Sequence, residues 1–325
     1  MNPNISVRHV NQSESPVEVV VILPTFRRPD HLIMTVDSVT AQKTKKNFAI
    51  VVMENDDEGL EGLPAAKTWF EAHPQQAGIV IIAHERGNCS AYNAGIETAL
   101  HHYPDFSHLL IIDDDELASP EWLDRLIAAS DDLDADMVGA PQLPVFEDES
   151  GQRWSKHPVF TPHYQTTGRV PILYSSGNVA IRRRVLEAMG PEWLDTTFNF
   201  IGGGDADFYT RCKARGFTFG WCAEAHVMET MPARRTEASW INARSVRNGA
   251  ISAIIERRHG QGAKGRMKRH ARNLALLAAS PLRSAMLAFK TRSPAIGIYH
   301  VQVAAGRFLA EFGQVAEQYR QPEKN

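Results

Sequence analysis

Short apolar runs alternate with amphipathic stretches through the first 130 residues of the chain. The first run, EVVVIL at 18–23, is rich in valine and is followed by a proline, which is typical of a strand buried on both faces. The cycle repeats three times more, and this alternation predicts a mostly parallel sheet with helices on both faces. The predicted strands are 18–23, 48–53, 78–83 and 109–112, and the predicted helices are 30–41, 64–72, 90–102 and 120–129.

The pattern becomes less regular after residue 136, where two strand-like segments, DMVGAP and FTFGWC, flank a long loop around 146–168. Loops of that length in a compact domain are commonly binding loops or lids. Beyond Met231, apolar residues recur at helical spacing. The predicted organisation is a disordered polar tail at 1–16, an α/β domain at 17–231 and a basic, mainly helical extension at 232–325.

The extension is strongly basic, although the whole chain has a formal net charge of -3. Between residues 232 and 292 there are fourteen Lys or Arg residues against Glu237 and Glu256. Such a segment is either a solvated helical face or a surface that meets phosphate groups. Because aromatic residues are not regularly interleaved with these cations, binding to nucleic acid is not expected.

The sequence predicts a cytoplasmic location. The N terminus lacks the apolar stretch of a secretory signal, and the three cysteines show no C-x-x-C spacing, which favours reduced thiols. The longest apolar stretch, at 274–289, is interrupted by Pro281 and Arg283 and is shorter than the ~20 residues needed to cross a bilayer. We therefore expect neither a signal peptide nor a transmembrane helix.

Four consecutive carboxylates, at 113–116, follow the fourth predicted strand. Like charges this close raise each other's pKa unless positive charge lies among them. The carboxyl ends of parallel strands are where α/β sheets bind ligands, and Mg²⁺ or Mn²⁺ commonly takes one or two carboxylates together with the oxygens of a diphosphate. The alternative is a solvated acidic turn ahead of the helix that is predicted to begin near Pro120.

A second group of carboxylates lies in GGGDADF at 202–208, at the start of a helix predicted over 208–215. Asp205 or Asp207 is suited to cap that helix, since Asp is a preferred N-cap residue. The functional interpretation is that one of them takes a proton from an attacking hydroxyl as a general base. G-x-G-x-x-G, P-loop, H-E-x-x-H and G-x-S-x-G signatures are absent from the sequence, which disfavours dehydrogenase, P-loop, zinc-protease and esterase functions.

Five segments in order, VVVILPTFRRPDHL, VVMENDD, GNCSAYNAGI, LLIIDDDELASPEWL and GGGDADFYTRCKARG, resemble the motifs of family 2 glycosyltransferases with the GT-A fold. The resemblance implies an α/β nucleotide-sugar-binding fold with a mostly parallel, mixed sheet and helices on both faces. The resemblance implies inverting transfer from a nucleotide-diphosphate sugar, with Asp205 as the catalytic base. It implies Mn²⁺ or Mg²⁺ held by Asp115, with Asp113 and His226 as further candidates. The implied nucleotide-sugar positions are Pro24, Thr25, Arg27, Glu54, Asp56, Asn88, Asn93, Asp113 and Asp114, and the implied acceptor-side positions are Gly177, Asn178, Gly203, Gly204 and Trp193.

The later segment HVMETMPARRTEASWINARSVRNG and the basic helix after it resemble bacterial exopolysaccharide glucosyltransferases of the succinoglycan type. This resemblance implies UDP-glucose as donor and a lipid-linked oligosaccharide as acceptor. It also implies peripheral attachment to the anionic inner face of the membrane, where basic residues gain about 1 kcal/mol each.

Three positions depart from the family pattern. Gly204 replaces a glutamate, Tyr92 replaces an arginine for which Arg86 is a substitute, and Met228 replaces a histidine for which His226 is a substitute. Two other functions stay open. One is a non-catalytic nucleotide-sugar-binding or scaffold protein of a polysaccharide assembly, and the other is a sugar-nucleotide nucleotidyltransferase, although no glycine-rich loop followed by a basic residue lies near the first strand.

Overall fold

The valine-rich runs form neighbouring strands at the centre of one sheet, in a computed structural model that describes residues 2–314 together with Glu317 and Arg320. The strands are β1 (Ile5–Asn11), β2 (Val19–Thr25), β3 (Phe48–Glu54), β4 (Gly78–Ala83), β5 (His108–Ile111), β6 (Glu116–Ala118), β7 (Met137–Gly139), β8 (Gln142–Phe146), β9 (Gly168–Val170), β10 (Val179–Arg182), β11 (Phe219–Trp221) and β12 (Val227–Met231). The helices are α1 (Pro29–Thr40), α2 (Gly62–Ala72), α3 (Asn88–His102), α4 (Trp122–Asp132), α5 (Arg183–Met189), α6 (Gly204–Ala214), α7 (Ala238–His259), α8 (Gly262–Thr291), α9 (Pro294–Gly297) and α10 (Tyr299–Glu311).

The main sheet has the order β1-β4-β3-β2-β5-β10-β7-β11-β9. Strands β2 to β5 run parallel, β10 runs antiparallel between β5 and β7, and β11 is parallel to β7. Strands β6, β12 and β8 form a smaller sheet beside it. The prediction of a mostly parallel sheet is confirmed, and the antiparallel strands make it mixed.

Alternate residues of the central strands enter two different cores. In β2, Val20 and Ile22 join one apolar cluster, whereas Val21 joins the other. Successive side chains of a strand point to opposite faces, so each cluster lies on one face of the sheet. Helices α3, α5 and α6 contribute to the first cluster, and α1, α2 and α4 contribute to the second. Helices therefore cover both faces, as predicted.

The prediction of a disordered tail at 1–16 is wrong for residues 5–11. These residues form β1, which pairs antiparallel with β4 from Ile5 opposite Ala83 to Asn11 opposite Gly78. Strand β4 is wholly buried, and an unpaired edge there would leave backbone N–H and C=O groups without partners. The partner lies more than 60 residues away along the chain, so no local pattern reveals the pairing.

The extension is helical, as predicted, and it shares a core with the sheet. Ile251 and Ile254 of α7 belong to the same apolar cluster as β2 and α6. Helix α10 packs closely on α7, because a Cβ at Gly306 would lie 1.8 Å from the backbone oxygen of Val246. The domain boundary at 231 and 232 stays a prediction. Among the described helices, none is long and apolar enough to span a membrane.

Candidate active site

A cleft of about 1100 Å³ lies at the carboxyl ends of β2 and β5. This is where open α/β sheets bind ligands. The turn at 113–116 lines one side of the cleft, and Trp240, Arg244 and Arg247 of α7 line another. Because β10 runs against its neighbours, the segment that enters it at Ser175 also reaches this edge of the sheet. The cleft is thus built from both halves of the chain.

Residues of β2 and α1, and the arginine just before α1, hold the acidic turn in place. The carboxylate of Asp114 accepts a hydrogen bond from the Thr25 hydroxyl at 2.9 Å and lies 3.3 Å from a guanidinium nitrogen of Arg28. The Thr35 hydroxyl donates to the backbone oxygens of Asp114 and Glu116. Burial raises the pKa of Asp114 to about 6, and the Arg28 guanidinium opposes this shift. Asp114 therefore serves to hold the turn.

Asp115 shares the Arg28 guanidinium with Asp114 and also lies beside a second arginine. Its Oδ2 lies 2.7 Å from Nη1 of Arg28 and 3.6 Å from Nη1 of Arg235. Arg235 also pairs with Glu229 at 3.3 Å. Burial and the nearby charge of Asp115 raise the pKa of Glu229 to about 8. Asp115 therefore lies between two cations on the surface of the cleft. A ligand that enters the cleft could replace these contacts.

Asp113 is held by a tyrosine. The Tyr92 hydroxyl donates to Asp113 Oδ1, and the Asp113 amide donates to Glu116 Oε2 at 2.9 Å. Burial and the charge of Asp115 raise the pKa of Asp113 to about 7, and the hydrogen bond from Tyr92 opposes that rise. A Cβ at Gly177 would lie 2.8 Å from Asp113 Oδ2. Gly177 therefore packs directly against the acidic turn, where only a residue without a side chain fits.

Asp205 lies in the first turn of α6, which begins a full turn earlier than the sequence predicts. Gly203 precedes the helix with φ 94, a left-handed conformation that favours glycine. Asp205 lines the cleft, and burial raises its pKa while Arg244 and Arg247 act to lower it. Asp207 is instead buried and pairs with Arg211 at 2.8 Å and His259 at 3.2 Å. Of the two candidates, Asp205 is therefore the carboxylate available to a substrate.

Gly204 has a steric explanation. A Cβ at this position would lie 2.4 Å from the buried Sγ of Cys89. Even the first atom of a glutamate side chain would need Cys89 to move. Gly204 thus stands where the family has a glutamate, and Cys89 fills the space that the side chain at 204 would need.

The structure brings only part of the predicted site together. The predicted residues that line the cleft are Pro24, Thr25, Asn88, Asp113, Asp114, Asp115, Gly203, Gly204 and Asp205. The substitute Arg86 lines it too, with its guanidinium 5.0 Å from the centre of the Phe26 ring. The predicted residues outside the described lining are Arg27, Glu54, Asp56, Asn93, Gly177, Asn178, Trp193 and His226.

Several of these outer residues hold the loops next to the cleft. Glu54 accepts from the amides of Asp56, Gly62 and Leu63 at the start of α2. Arg27 pairs with Asp56 at 2.6 Å. The positions of these groups support a role in shaping the cleft.

Three further predicted residues make structural contacts. Asn93 exchanges hydrogen bonds with the backbone of Leu194. The buried side chain of Asn178 accepts from the Trp122 indole, and the Trp193 indole donates to a backbone oxygen inside the first core cluster. The predicted acceptor-side roles of Asn178 and Trp193 do not agree with these positions, because neither side chain faces the cleft.

His226 immediately precedes β12, and the alternation of side chains along this strand places it away from the cleft. In β12, Val227 is buried and Glu229 lines the cleft, whereas Met228 is exposed. Residues i and i+2 share a face, so His226 lies on the side of Met228 and not on the side of the carboxylates. Glu229 is the residue of this segment that reaches Asp115 through Arg235, and the sequence analysis did not single it out.

Other cleft residues were also missed. They are Arg28, Arg235, Arg244, Arg247, Tyr174 and Trp240. Tyr174 is half exposed and stacks on His163 with ring centres 4.3 Å apart. Two sequence signals could have identified the arginines, namely the pair RR at 234–235 and the spacing of 244 and 247 on one helical face. Both were counted only as part of the positive charge of the extension.

The acidic turn fits a divalent cation that is shared with a diphosphate. Within the residues that the structure describes, no group of three or more His, Cys, Asp or Glu side chains is arranged to hold an ion. Mg²⁺ and Mn²⁺ often need only one or two carboxylates when a diphosphate supplies the other oxygens. Asp113 and Asp115 meet that requirement, and burial together with the charge of Asp115 raises the pKa of Asp113, a shift that a bound cation would oppose.

These features define a GT-A-type glycosyltransferase fold. Residues 20–190 match the model of Glycosyl transferase family 2. The chain therefore belongs to glycosyl transferase family 2, and the resemblance found in the sequence is confirmed.

The chain is similar to two characterised glycan-synthesis proteins. It is 27% identical over 245 residues to "Succinoglycan biosynthesis protein ExoM" of Rhizobium meliloti (strain 1021), covering 73% of this chain and 75% of that protein. It is 23% identical over 252 residues to "Chondroitin synthase" of Pasteurella multocida (strain Pm70), covering 66% of this chain and 25% of that protein.

Solved structures confirm the fold. The mannosyltransferase PcManGT from Pyrobaculum calidifontis, in complex with GDP-Man and Mn²⁺, superposes with a TM-score of 0.60 at 18% identity, covering 91% of this chain and 88% of that one. S. aureus TarS 1-349 in complex with UDP gives a TM-score of 0.52 at 13% identity, covering 95% and 98%. At these identities the likeness shows the fold alone.

Proposed function

We propose that the protein is an inverting, metal-dependent hexosyltransferase that moves glucose from UDP-glucose to a hydroxyl of a lipid-linked oligosaccharide in bacterial exopolysaccharide or other surface glycan synthesis. The observation that carries this proposal is the placement of Asp205 in the same cleft as Asp113 and Asp115. One carboxylate is available as a base, and the other two can hold a cation on a diphosphate. The catalytic domain is proposed as 17–231, with the extension completing the wall of the cleft.

Asp205 acts on the acceptor. Its carboxylate takes the proton of the acceptor hydroxyl, whose oxygen then attacks the anomeric carbon of the donor sugar. The bond from that carbon to the diphosphate oxygen breaks, and the configuration inverts because attack comes from the opposite side. Burial raises the pKa of Asp205, and the charges of Arg244 and Arg247 oppose that rise and so favour its ionised form.

The donor is held by the acidic turn and the cations around it. Asp115 and Asp113 would hold Mn²⁺ or Mg²⁺, which would supply charge stabilisation for the departing nucleotide diphosphate. Arg28 and Arg235 lie beside Asp115, where they can contact the same diphosphate. Thr25 and Asn88 line the adjoining part of the cleft, and Asp56, Glu54 and Arg27 order the loop next to it.

Support for the donor and acceptor comes from the relatives. The name of the succinoglycan protein favours an exopolysaccharide. The proposed acceptor, carried on a lipid at the cytoplasmic face of an anionic membrane, is the one that the sequence resemblance implies. TarS has been solved with UDP and with UDP-GlcNAc, whereas PcManGT has been solved with GDP-Man. The nucleotides bound in these neighbours differ, so the nucleobase that this protein prefers in its donor must be tested directly.

Calorimetric titration with UDP, GDP and dTDP, each with Mn²⁺ and with EDTA, tests the donor site. We expect binding of UDP that requires Mn²⁺, followed by transfer from UDP-glucose to lipid-linked acceptors. Binding without transfer to any acceptor would favour a non-catalytic nucleotide-sugar protein, for which the absence of a side chain at Gly204 is the supporting observation. Absence of binding by all three nucleotides would reject the proposal.

A further inference from the structure

Helix α8 carries an apolar stripe that points away from the rest of the protein. Its buried residues are Arg269, Asn273 and Ser280, which mark the side that packs against α7 and α10. Large apolar side chains on the opposite side are strongly exposed, with Leu282 at 68% and Phe289 at 89%. The stripe consists of Met267, Leu274, Leu282, Met286 and Phe289.

The spacing of these residues places them on one helical face. They recur at intervals of about a turn or two, and Ala271, Ala278 and Ala285 fill the positions between them. An exposed apolar face that extends along a 30-residue helix is unusual for a surface in contact with water alone. The stripe therefore needs a partner.

The charge of α8 decides which partner fits. The helix has seven Lys or Arg residues and no Asp or Glu. Arg269 and Arg272 pair with Glu311 and Glu256, whereas Lys264 and Lys290 are exposed near the two ends of the stripe. A second copy of the chain docked through the same face would bring like charges together. An anionic lipid surface accepts both the apolar stripe and the cations.

We infer that α8 lies in the plane of an anionic bilayer, with the stripe from Met267 to Phe289 among the upper acyl chains and its lysines at the phosphates. The helix does not cross the membrane, because no helix of the described chain is long and apolar enough to do so. This placement of α8 also determines where the cleft lies relative to the membrane. Lys268 and Arg272, near the start of α8, line the same cleft as Asp205, so docking brings the cleft to the lipid surface. Only that last step, delivery of a lipid-linked acceptor, rests on the proposed function.

Vesicle cosedimentation of the full chain tests the docking. We expect binding to phosphatidylcholine vesicles that contain phosphatidylglycerol, and little binding to phosphatidylcholine alone. The variant Leu282→Ser/Phe289→Ser should lose more than about tenfold in binding, because two large side chains no longer leave water. Lys264→Gln/Lys290→Gln should weaken binding and its dependence on salt. The control is Met34→Ser on α1, which removes a half-exposed apolar side chain elsewhere and should change nothing.

Insertion can be observed directly with an environment-sensitive fluorophore. The native cysteines Cys89, Cys212 and Cys222 are buried, so Phe289→Cys provides a selective labelling site. A blue shift on addition of anionic vesicles, absent for a label at Met34→Cys, is the expected result. Unchanged vesicle binding by Leu282→Ser/Phe289→Ser, or no spectral shift at 289, would overturn the inference. A change of oligomeric mass in that variant without any effect on vesicles would assign the stripe to a second copy instead.

Neither readout depends on catalysis. If the proposed function fails, vesicle binding should persist. If the docking fails while the function holds, the stripe variant should transfer sugar to a detergent-dispersed acceptor as well as the parent protein does, and the parent should gain nothing from vesicles.

Discussion

The hydroxyl of Tyr92 donates a hydrogen bond to Asp113 where the acidic turn meets the cleft. Tyr92→Phe removes this bond, and because the bond acts to lower the pKa of Asp113, the pKa should rise further above its ordinary range. Metal binding needs the ionised carboxylate. We expect calorimetry to show Mn²⁺-dependent nucleotide binding weakened by roughly tenfold, with a larger loss below pH 7 than above it.

Tyr103→Phe is the matched control for that measurement. The Tyr103 hydroxyl is also buried, but it makes no hydrogen bond within the described part of the chain. Its removal should leave nucleotide affinity unchanged at every pH. Equal behaviour of the two variants would show that the hydrogen bond to Asp113 has no part in binding.

Asp205 and Asp207 should respond in opposite ways to the same substitution. Asp205→Asn removes the proposed base and should lower kcat by about 10²-fold or more while leaving donor affinity and thermal stability unchanged. Asp207→Asn breaks the ion pair with Arg211 and disturbs the hydrogen bond with His259, so the free energy of unfolding should fall by about 1–3 kcal/mol. Transfer assays and thermal unfolding on both variants decide the matter, and a reversed outcome would move the base to Asp207.

The acidic limb of the pH profile should report Asp205. The base must be ionised, so kcat/KM should fall as the pH drops through its pKa, which burial raises. Arg247→Gln removes a charge that lowers this pKa, and the limb should move to higher pH. Arg125→Gln, which breaks a surface pair with Glu121, is the control and should leave the limb in place. A limb that does not move with Arg247→Gln would mean that another group titrates.

Gly204 and Cys89 should be energetically coupled. Gly204→Ala places a Cβ against Cys89 Sγ, and overpacking of this kind should lower the free energy of unfolding by about 1–3 kcal/mol. Cys89→Ala removes the sulfur, so the double variant should recover part of that loss. Urea unfolding of both single variants and the double variant measures the coupling. Additive losses would show that the two positions do not compete for space.

The N-terminal strand should contribute to stability in solution. Ile5→Ser places a hydroxyl where β1 is buried against the sheet, and the free energy of unfolding should fall by about 1–3 kcal/mol. Val10→Ser acts on the same strand at an exposed position and should be close to neutral. If denaturant unfolding shows no difference between these variants, β1 is not docked on β4.

Local pattern predicted the elements that are buried on both faces. The runs that became β2, β3 and β4 were placed to within about two residues because unbroken valine and isoleucine leave no helical alternative. Strand β1 was missed because it has a polar face and a distant partner. Helix α6 was predicted to begin too late because Gly203, Gly204 and the aspartates have no apolar periodicity, although Gly203 in a left-handed conformation starts the helix.

Prediction of the site was limited in the same way. Asp113, Asp115 and Asp205 come from motifs whose order is visible in the sequence, and all three line the cleft. Asn178 and Trp193 lie outside the five segments that carry the resemblance, and their side chains make hydrogen bonds inside the fold. Arg244 and Arg247 reach the cleft only because α7 packs on α6, and sequence analysis alone cannot provide that tertiary contact.

The cleft has two walls that come from separate stretches of the chain. The acidic turn lies inside the segment 20–190 that matches the family model, whereas Asp205, Glu229 and helix α7 lie beyond it. The two walls are nevertheless in contact, because Gly204 packs against Cys89 and Arg235 lies 3.6 Å from Asp115. A substitution in one wall is therefore tolerated only where the side chain that it meets in the other wall leaves room for it, so the two stretches of the chain must change together where they touch.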